Sequence, residues 1–395
     1  MIGNSFFKGD LVLWCIMALL VIFSFLPVYS ASSNLAFVIG KGTPIGYLFK
    51  HFLIMTFGFS LVYVFHRIPF IYFKGISVLM IPVTFILLIY TASQGNIING
   101  TNANRWIQIP LIGFSFQTSS LASMILMMYI AHYISKNQDK PTKFMSTFWS
   151  LWTPIIGVIV LIFPSNFSTA IILFCMVLML LFVGGYPLRQ LFLISVSILS
   201  IFLLFIVTAK AFPEYIPNRV DTWTSRISNF NSPEKNANYQ IERSKIAIAS
   251  GGIYGKGAGK SVMKNFLPQS SSDFIFAIIV EEYGLIGGLT LIIIYILLLF
   301  RIMVIFHKTK ILFGKLLVVG LGIPIVFQAF INIGVTVQLF PVTGQTLPLL
   351  SSGGSSAWMN FIAIGIILSV SNSIKKDNIN NNDIDNPLYI LSEDK

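Results

Sequence analysis

The sequence predicts an all-α polytopic membrane protein of about ten transmembrane helices, with a large extracytoplasmic loop between helices 7 and 8. Three observations support this fold class. Hydrophobic residues make up 55% of the 395 residues and charged residues only 10%. Apolar runs of about 18 residues or more, long enough to cross a bilayer, recur along the whole chain. Lys and Arg collect in short loops that would then share one side of the membrane.

Taken in chain order, the apolar runs give ten predicted helices. They cover residues 11–29, 46–66, 69–92, 116–135, 150–163, 167–184, 188–212, 273–306, 311–339 and 355–374. No small-residue cleavage site follows the first run, so we expect it to remain as a span rather than to be removed as a signal peptide. The fifth and sixth helices are short, and Pro164 and Asn166 between them are also compatible with a re-entrant turn.

The distribution of positive charge predicts that both termini are cytoplasmic, because Lys and Arg in short cytoplasmic loops set the orientation of membrane helices. The short loops on the N-terminal side hold Lys8, Arg67, Lys74, Lys136, Lys140, Lys143, Arg189, Arg301, Lys308, Lys310, Lys315, Lys375 and Lys376. The opposite short loops hold Lys41, Lys50 and Arg105. The net charge of +12 therefore fits a multi-pass protein of the cytoplasmic (inner) membrane, in contact with membrane lipids, and does not indicate nucleic acid binding.

Residues 1–376 are expected to form a single transmembrane domain, in which residues 213–272 make the large extracytoplasmic loop. A loop of this length inside a compact membrane protein is usually functional. Residues 377–395 are rich in Asn and Asp and are predicted to form a disordered cytoplasmic tail.

The glycine-rich segment from Ser250 to Ser261 only partly matches a phosphate-binding loop. That pattern, ending at Lys260 and Ser261, would need glycine at position 254, where this chain has Tyr254. No strand is predicted before the segment, and it faces away from the cytoplasm. We therefore expect its glycines to allow tight turns and close packing against the membrane domain.

The titratable residues limit the chemistry that is available at the outer face. Of the four histidines, only His51 falls near that face, so neither a zinc cluster nor a Ser-His-Asp triad is indicated. Cys15 and Cys175 both lie in apolar runs and indicate neither a disulfide framework nor a metal site. The seven outer carboxylates are Glu214, Asp221, Glu234, Glu242, Asp273, Glu281 and Glu282.

Asp273 lies at the start of the predicted eighth helix, where the helix dipole favours an anion. A catalytic base and a simple helix cap both fit this position. Glu281 lies about 80° around the helix from Asp273 and roughly two turns deeper, whereas Glu282 is almost opposite. Glu281 is therefore the better candidate to line the same cavity, although pairing with a polar group on a neighbouring helix explains either glutamate equally well.

Several separated motifs occur in order along the chain. They are Arg105-Trp106-Ile107 with Phe116-Gln117, Tyr239-Gln240, Gly251-Gly252, Gly255-Lys256-Gly257-Ala258-Gly259, Leu267-Pro268, Asp273-Phe274-Ile275-Phe276, Glu281-Glu282-Tyr283-Gly284, Thr343-Gly344-Gln345-Thr346-Leu347-Pro348 and Ser351-Ser352-Gly353-Gly354-Ser355-Ser356. Together they resemble the SEDS family (shape, elongation, division and sporulation) of polytopic peptidoglycan polymerases. Thr346-Leu347-Pro348 looks more like the division-type than the elongation-type members.

The resemblance implies a peptidoglycan glycosyltransferase that polymerises lipid II at the outer face of the cytoplasmic membrane during septal cell-wall synthesis. It implies Asp273 as the general base that takes the proton from the 4-hydroxyl of the incoming GlcNAc. The candidate substrate-binding residues are Arg105, Arg219, Arg226, Tyr239, Gln240, Lys260, Lys264, Glu281, Ser352 and Ser355, and the Arg and Lys members of this set are the candidates for pyrophosphate contacts. Solvated loop charge explains each of these cations equally well.

The partners implied by the resemblance are a class B penicillin-binding transpeptidase and divisome regulators. A divalent cation such as Mg²⁺ would be chemically reasonable between pyrophosphate and a carboxylate, but no ligand spacing in the sequence supports a metal site. The alternative functions are an elongation-type polymerase, a scaffold that only recruits a transpeptidase and, from another class, a lipid II flippase. A transporter would more naturally carry its ionisable residues near the midplane of the membrane.

The chain departs from the family pattern in three places. The family usually has a Pro-Ser-Glu segment with a following lysine, and a Pro-Asp-Leu-Gly-Thr-Ala segment. It also has Glu, His and Thr before the aspartate. All three are replaced in this chain. The residues that stand there are Ser119, Ser120, Ser123, the segment Ser165 to Ala170, Gln269, Ser271 and Ser272. The central aspartate is retained.

Overall fold

The structure is a computed structural model that describes residues 7–37, 42–93, 97–98, 101–102, 106–109, 114–138, 144–211, 239–267 and 269–384. Its helices are α1 Leu11–Phe37, α2 Pro44–Phe65, α3 Phe73–Ser93, α4 Thr118–Lys136, α5 Phe144–Thr147, α6 Thr153–Ile162, α7 Phe167–Val183, α8 Leu188–Ala211, α9 Tyr239–Gly251, α10 Ile275–Lys308, α11 Leu312–Thr336 and α12 Ser355–Ile384. Short 3₁₀ turns lie at Phe70–Tyr72 and Met263–Asn265, and a π-helical turn at Phe148–Trp152 joins α5 to α6.

Two short antiparallel hairpins lie between α3 and α4. The first pairs β1 Ile97–Ile98 with β2 Thr101–Asn102. The second pairs β3 Trp106–Ile109 with β4 Phe114–Gln117. Neither hairpin was predicted from the sequence, because the strands are only two and four residues long and Phe116 and Gln117 fall within the predicted fourth helix.

Seven helices in the described part of the chain are long and apolar enough to cross a bilayer. They are Leu11–Ser33, Pro44–Phe65, Phe70–Ser93, Leu188–Thr208, Ile275–Lys308, Leu312–Thr336 and Ser355–Ile374. The apolar helices Phe148–Ile162 and Phe167–Val183 are shorter. The predicted all-α polytopic fold class is confirmed, whereas the expected number of ten spans is not established.

The region predicted as a large loop contains regular structure. Residues 212–238 lie outside the described residues, but helix α9 follows them and packs against α10. The polar residues of α9 hid it from a search for apolar runs, because it uses small and apolar residues on one face only. At the other end of the chain, α12 extends to Ile384, through residues 377–384 of the segment predicted as a disordered tail.

Helices α11 and α12 form the centre of the bundle, with α2 and α4 packed against them. Because lipid tails are as apolar as the helices, close packing of small residues is what holds membrane helices together. Gly58 of α2 lies directly against the ring of Phe361 on α12, in space that a Cβ atom would need. Gly365 of α12 lies in the same way against Val62 of α2.

Two polar clusters join α10 to α1 at opposite ends of these helices. Arg301 of α10 is paired with Asp10, with its Nε 2.8 Å from both carboxylate oxygens. Glu282 of α10 accepts a hydrogen bond from the hydroxyl of Ser30 on α1. At about 1.5 Å of rise per residue these two levels are about 28 Å apart along α10, close to the thickness of about 30 Å of a hydrocarbon core.

Candidate active site

Asp273 lies in the turn that leads into α10, at the end of the bundle beyond Glu282. Its backbone amide donates to the carbonyl oxygen of Gln269 at 3.1 Å, and its side chain is half-buried. Gln269 has a φ of +58°, a left-handed conformation that residues with a Cβ rarely adopt. This turn sets the position of Asp273 before the helix begins at Ile275.

A buried amide on α11 fixes the backbone of Asp273. The Nδ2 atom of Asn332 donates to the carbonyl oxygen of Asp273 and to that of Gln345, each at 2.7 Å. One turn earlier on the same face, Gln328 donates to the carbonyl oxygen of Thr346 at 2.9 Å. These two amides therefore hold the turn before α10 and the segment 343–353 together. The sequence analysis missed both, although two amides spaced i, i+4 in an apolar helix were a usable signal.

The segment 343–353 forms a wall beside the Asp273 carboxylate. Gly344 has a φ of +68°, and a Cβ atom placed there would lie 3.6 Å from the Oδ2 atom of Asp273. The hydroxyl of Ser351 donates to the carbonyl oxygen of Ser272 at 2.6 Å. Ser352 donates to the carbonyl oxygen of Ser271 through both its amide, at 3.0 Å, and its hydroxyl, at 2.9 Å.

The start of α7 also reaches this site. The side-chain amide of Gln345 donates to the hydroxyl of Thr169 at 2.7 Å. Asn166, which stands where the family has aspartate, caps α7 by accepting a hydrogen bond from the amide of Thr169 at 3.4 Å. The replaced segment 165–170 is thus part of the surroundings of Asp273 through Gln345.

Glu281 is fully buried and anchors the glycine-rich segment to α10. Lys256 lies 2.7 Å from its Oε1 atom, and the hydroxyl of Ser261 donates to its Oε2 atom. The amides of Val262 and Met263 donate to the same carboxylate at 3.1 and 3.2 Å. Of the two interpretations left open by the sequence, these contacts favour a structural pair over a substrate contact.

Glu282 binds the same segment from the other side. One carboxylate oxygen accepts hydrogen bonds from the Ser30 hydroxyl and, at 3.3 Å, from the amide of Ser261. Lys264, a candidate pyrophosphate contact, donates to the hydroxyl of Ser30 at 3.2 Å and to the carbonyl oxygen of Gly259 at 2.8 Å. The two adjacent acids therefore fasten one segment of chain to both α10 and α1.

The glycine-rich segment packs against a break in α10 and forms hydrogen bonds with the backbone there. Gly284 has a φ of +70° and interrupts the helix. The carbonyl oxygens of Glu281 and Glu282 accept hydrogen bonds from the amides of Lys256 and Gly257, at 3.0 and 2.9 Å. In return, the amide of Leu285 donates to the carbonyl oxygen of Gly252 at 2.9 Å. The segment thus satisfies backbone groups that the broken helix leaves open.

This contact explains the glycines of the segment. Cβ atoms at Gly251 and Gly255 would overlap the carbonyl oxygens of Val280 and Glu282, and one at Gly284 would overlap that of Ile253. The expectation of close backbone packing against the membrane domain is confirmed. A phosphate-binding role is not needed to account for this segment.

The remaining candidates lie in α9, in the glycine-rich segment and at the start of α12, or outside the described residues. Arg105, Arg219 and Arg226 belong to the residues that the structure does not describe. Tyr239 and Gln240 lie in the first turn of α9, with Tyr239 38% exposed. Lys260 is exposed, whereas Ser355 is buried and accepts a hydrogen bond from the amide of Gln117 at 2.8 Å.

The hairpin before α4 joins two halves of one motif. Strand β3 pairs Trp106 with Gln117 and Ile107 with Phe116. Through the bond from Gln117 to Ser355, the hairpin is fastened to the start of α12. Motif residues that lie far apart in the sequence therefore meet at the end of the bundle that carries Asp273.

Metal binding has no support from the geometry of the described residues. Among them there is no group of three or more His, Cys, Asp or Glu side chains that could hold an ion.

The chain is similar to known proteins over most of its length. Residues 10–376 match the family profile FTSW_RODA_SPOVE, described as "Cell cycle protein". A protein of Coxiella burnetii named "Probable peptidoglycan glycosyltransferase FtsW" is 32% identical over 84% of this chain and 87% of its own length. A protein of the same name from Geobacter sp. (strain M18) is 31% identical over 93% of this chain and 97% of its own.

Two solved structures share the fold. One, reported as "Structural coordination of polymerization and crosslinking by a peptidoglycan synthase complex", has a TM-score of 0.69 at 21% identity over 93% of this chain and 98% of its own. The rod shape determining protein RodA of Thermus thermophilus has a TM-score of 0.64 at 23% identity over 92% of this chain and 96% of its own. With the profile spanning nearly all of the described helices, the chain belongs to the FtsW/RodA/SpoVE family, the SEDS family that its motifs resemble.

Proposed function

We propose that this chain is a peptidoglycan glycosyltransferase that polymerises lipid II during septal cell-wall synthesis, with Asp273 as its general base. Relatives of at least 30% identity that are named FtsW, over most of both chains, support the reaction and favour the division role over elongation. The observation that carries the assignment of Asp273 is its position in a turn held by Asn332 and walled by Gly344.

The position of Asp273 along the axis of α10 supports a reaction at the surface of the membrane. Helix α10 begins at Ile275, and the rise from there to Glu282 is about 10 Å. If the Arg301 and Glu282 clusters mark the two boundaries of the hydrocarbon core, Asp273 lies beyond the second one. With both termini cytoplasmic, as the loop charges predict, that side is the outer face. A base there can meet the sugar head of a lipid-linked substrate, whereas a flippase would place its ionisable groups nearer the midplane.

In the proposed reaction, Asp273 takes the proton from the 4-hydroxyl of the GlcNAc of the incoming lipid II. The oxygen then attacks the anomeric carbon of the growing glycan, and the bond from that carbon to the lipid pyrophosphate breaks. One carboxylate suffices for such an inverting displacement, because pyrophosphate leaves without a dedicated acid. The turn of Gln269 to Asp273 keeps the base in place before the substrate arrives, which lowers the reorganisation that the reaction needs.

The partner that fits this reaction is a class B penicillin-binding transpeptidase, together with divisome regulators. A structure of the same fold, at 21% identity, is described as coordinating polymerization and crosslinking in one complex. In this proposal residues 1–376 act as one transmembrane domain, in line with the profile match over residues 10–376.

The test is polymerisation of lipid II by purified protein in detergent, with and without the transpeptidase. We expect glycan chains from the wild type and none from Asp273→Asn, while the variant keeps the melting temperature of the wild type. Glu242→Gln, an exposed acid on α9, is the matched control and should retain activity. Glycan synthesis by Asp273→Asn at the wild-type rate would remove Asp273 from the mechanism, and a wild type that makes no glycan with its partner present would refute the polymerase.

A further inference from the structure

Arg243 is a cation that contacts two aromatic rings and pairs with no acidic group among the described residues. Its guanidinium carbon lies 4.9 Å from the centroid of the Tyr239 ring and 5.6 Å from that of Phe266. Its side chain is half-buried, and its buried Nε atom has no hydrogen-bond partner in the described part of the chain. The described ion pairs are Lys256 with Glu281 and Arg301 with Asp10, and neither involves Arg243.

The other cations of residues 239–267 differ from Arg243 in this respect. Lys256 is paired with Glu281, and Lys264 donates to Ser30 and to Gly259. Lys245 and Lys260 are exposed to solvent. Within this segment Arg243 alone is therefore half-buried, held between two rings, and left with hydrogen-bond donors to spare.

Arg243 also belongs to the structure that surrounds Asp273. The hydroxyl of the next residue, Ser244, donates to the carbonyl oxygen of Thr336 at 2.9 Å. Thr336 lies one helical turn from Asn332, the residue that binds the backbone of Asp273. On the other side, Phe266 adjoins Leu267, which is buried with Phe274 next to Asp273. Both residues are thus tied to α11, Asp273 through Asn332 and Arg243 through the neighbouring Ser244.

We propose that Arg243 binds a phosphate of the lipid-linked pyrophosphate of the substrate, a role that rests on the proposed function. A half-buried charge without a partner is unfavourable, and an anion that reaches it gains a charge-assisted, two-pronged hydrogen bond. The rings of Tyr239 and Phe266 hold the guanidinium by cation–π contacts and leave its edge for the ligand. Phosphate is also the anion of phospholipid headgroups, so the test must separate these two sources.

The experiment compares Arg243→Gln and Arg243→Lys with Lys245→Gln, a control that removes an exposed cation two residues away. For lipid II polymerisation we expect KM to rise about tenfold in Arg243→Gln, the loss of one charge-assisted contact, with a smaller change in kcat. Arg243→Lys keeps the charge but lacks the planar, two-pronged donor group of arginine. Its KM should therefore lie between that of the wild type and that of Arg243→Gln. Lys245→Gln should keep the wild-type KM.

A binding measurement tests the role of Arg243 independently of whether the protein polymerises lipid II. Undecaprenyl pyrophosphate, titrated against each protein in detergent, should bind the wild type about tenfold more tightly than Arg243→Gln, whether or not glycan is made. Phosphatidylglycerol should not compete at equal concentration. Equal binding of undecaprenyl pyrophosphate by the wild type and both Arg243 variants, or full competition by phosphatidylglycerol, would overturn the inference. If Arg243→Gln loses thermal stability, Arg243→Lys decides the question.

Discussion

The side chain of Asn332 donates to the backbone carbonyl oxygens of Asp273 and Gln345 at 2.7 Å each. It connects the proposed base to the wall that faces it, and along the chain it lies 59 residues from Asp273 but only 13 from Gln345. The geometry of the site therefore depends on a buried amide that takes no part in the chemistry.

Replacing Asn332 by Ala should lower the rate of polymerisation more than the affinity for lipid II. Two carbonyl groups would lose their hydrogen-bond donor. Each loss should lower the free energy of unfolding by about 1–3 kcal/mol where no water replaces the donor. We expect kcat to fall about tenfold with KM within about twofold, because Asp273 would no longer be held in one position. Gln328→Ala, which frees only Thr346, is the control and should affect kcat less. If Asn332→Ala lowers the melting temperature but leaves kcat unchanged, Asn332 contributes to stability and not to the positioning of Asp273.

Gly255→Ala should destabilise the protein much more than Gly259→Ala. Both glycines have positive φ, +81° and +77°, so the backbone strain from an added Cβ is similar at each. Only at Gly255 would the Cβ overlap the carbonyl oxygen of Glu282, whereas Gly259 has nothing within 4 Å. Melting temperatures in detergent measure the difference. Equal losses would show that the close packing against α10 contributes nothing.

The pair of Lys256 and Glu281 should show strong coupling in a double-mutant cycle. Lys256→Met alone leaves a fully buried carboxylate without its cation, which is costly, although the partial exposure of Lys256 reduces the effect. We expect a coupling energy of about 1–2 kcal/mol in thermal stability. Glu281→Gln should impair polymerisation without abolishing it. Additive losses in the cycle would mean that the pair is not coupled in solution.

The pair of Asp10 and Arg301 should make stability depend on pH in the acidic range. Burial raises the pKa of Asp10, but hydrogen bonds from Arg301 and from the amide of Leu13, together with the charge of Arg301, lower it below the ordinary 3.8. The ionised form is therefore favoured in the folded protein. Its contribution is complete above pH of about 4 and is lost as the pH falls through the lowered pKa.

The melting temperature of the wild type should consequently drop on acidification below about pH 4 more steeply than that of Asp10→Asn, in which this carboxylate is absent. Thermal unfolding in detergent across this range is the measurement. Parallel pH profiles for the two proteins would contradict a lowered pKa at Asp10.

The sequence alone determined the class of the protein. Long apolar runs and the bias of Lys and Arg are properties of composition and order, and membrane crossing depends on little else. The motif around Asp273 identified the family and the proposed base in the same way. The sequence also indicated that the glycines of residues 251–259 serve packing, because Tyr254 breaks the phosphate-loop pattern.

Only the tertiary structure decided what these residues contact. Glu281 and Glu282 are adjacent in sequence, yet one binds Lys256 and the other Ser30, because α10 packs against both the glycine-rich segment and α1. Helix α9 has too many polar residues to appear as an apolar run, and the strands of the hairpin of Trp106 with Gln117 are only four residues long. The hydrogen bonds from Asn332 to Asp273 and from Gln117 to Ser355 join residues far apart in the sequence, and such bonds exist only once the helices have packed.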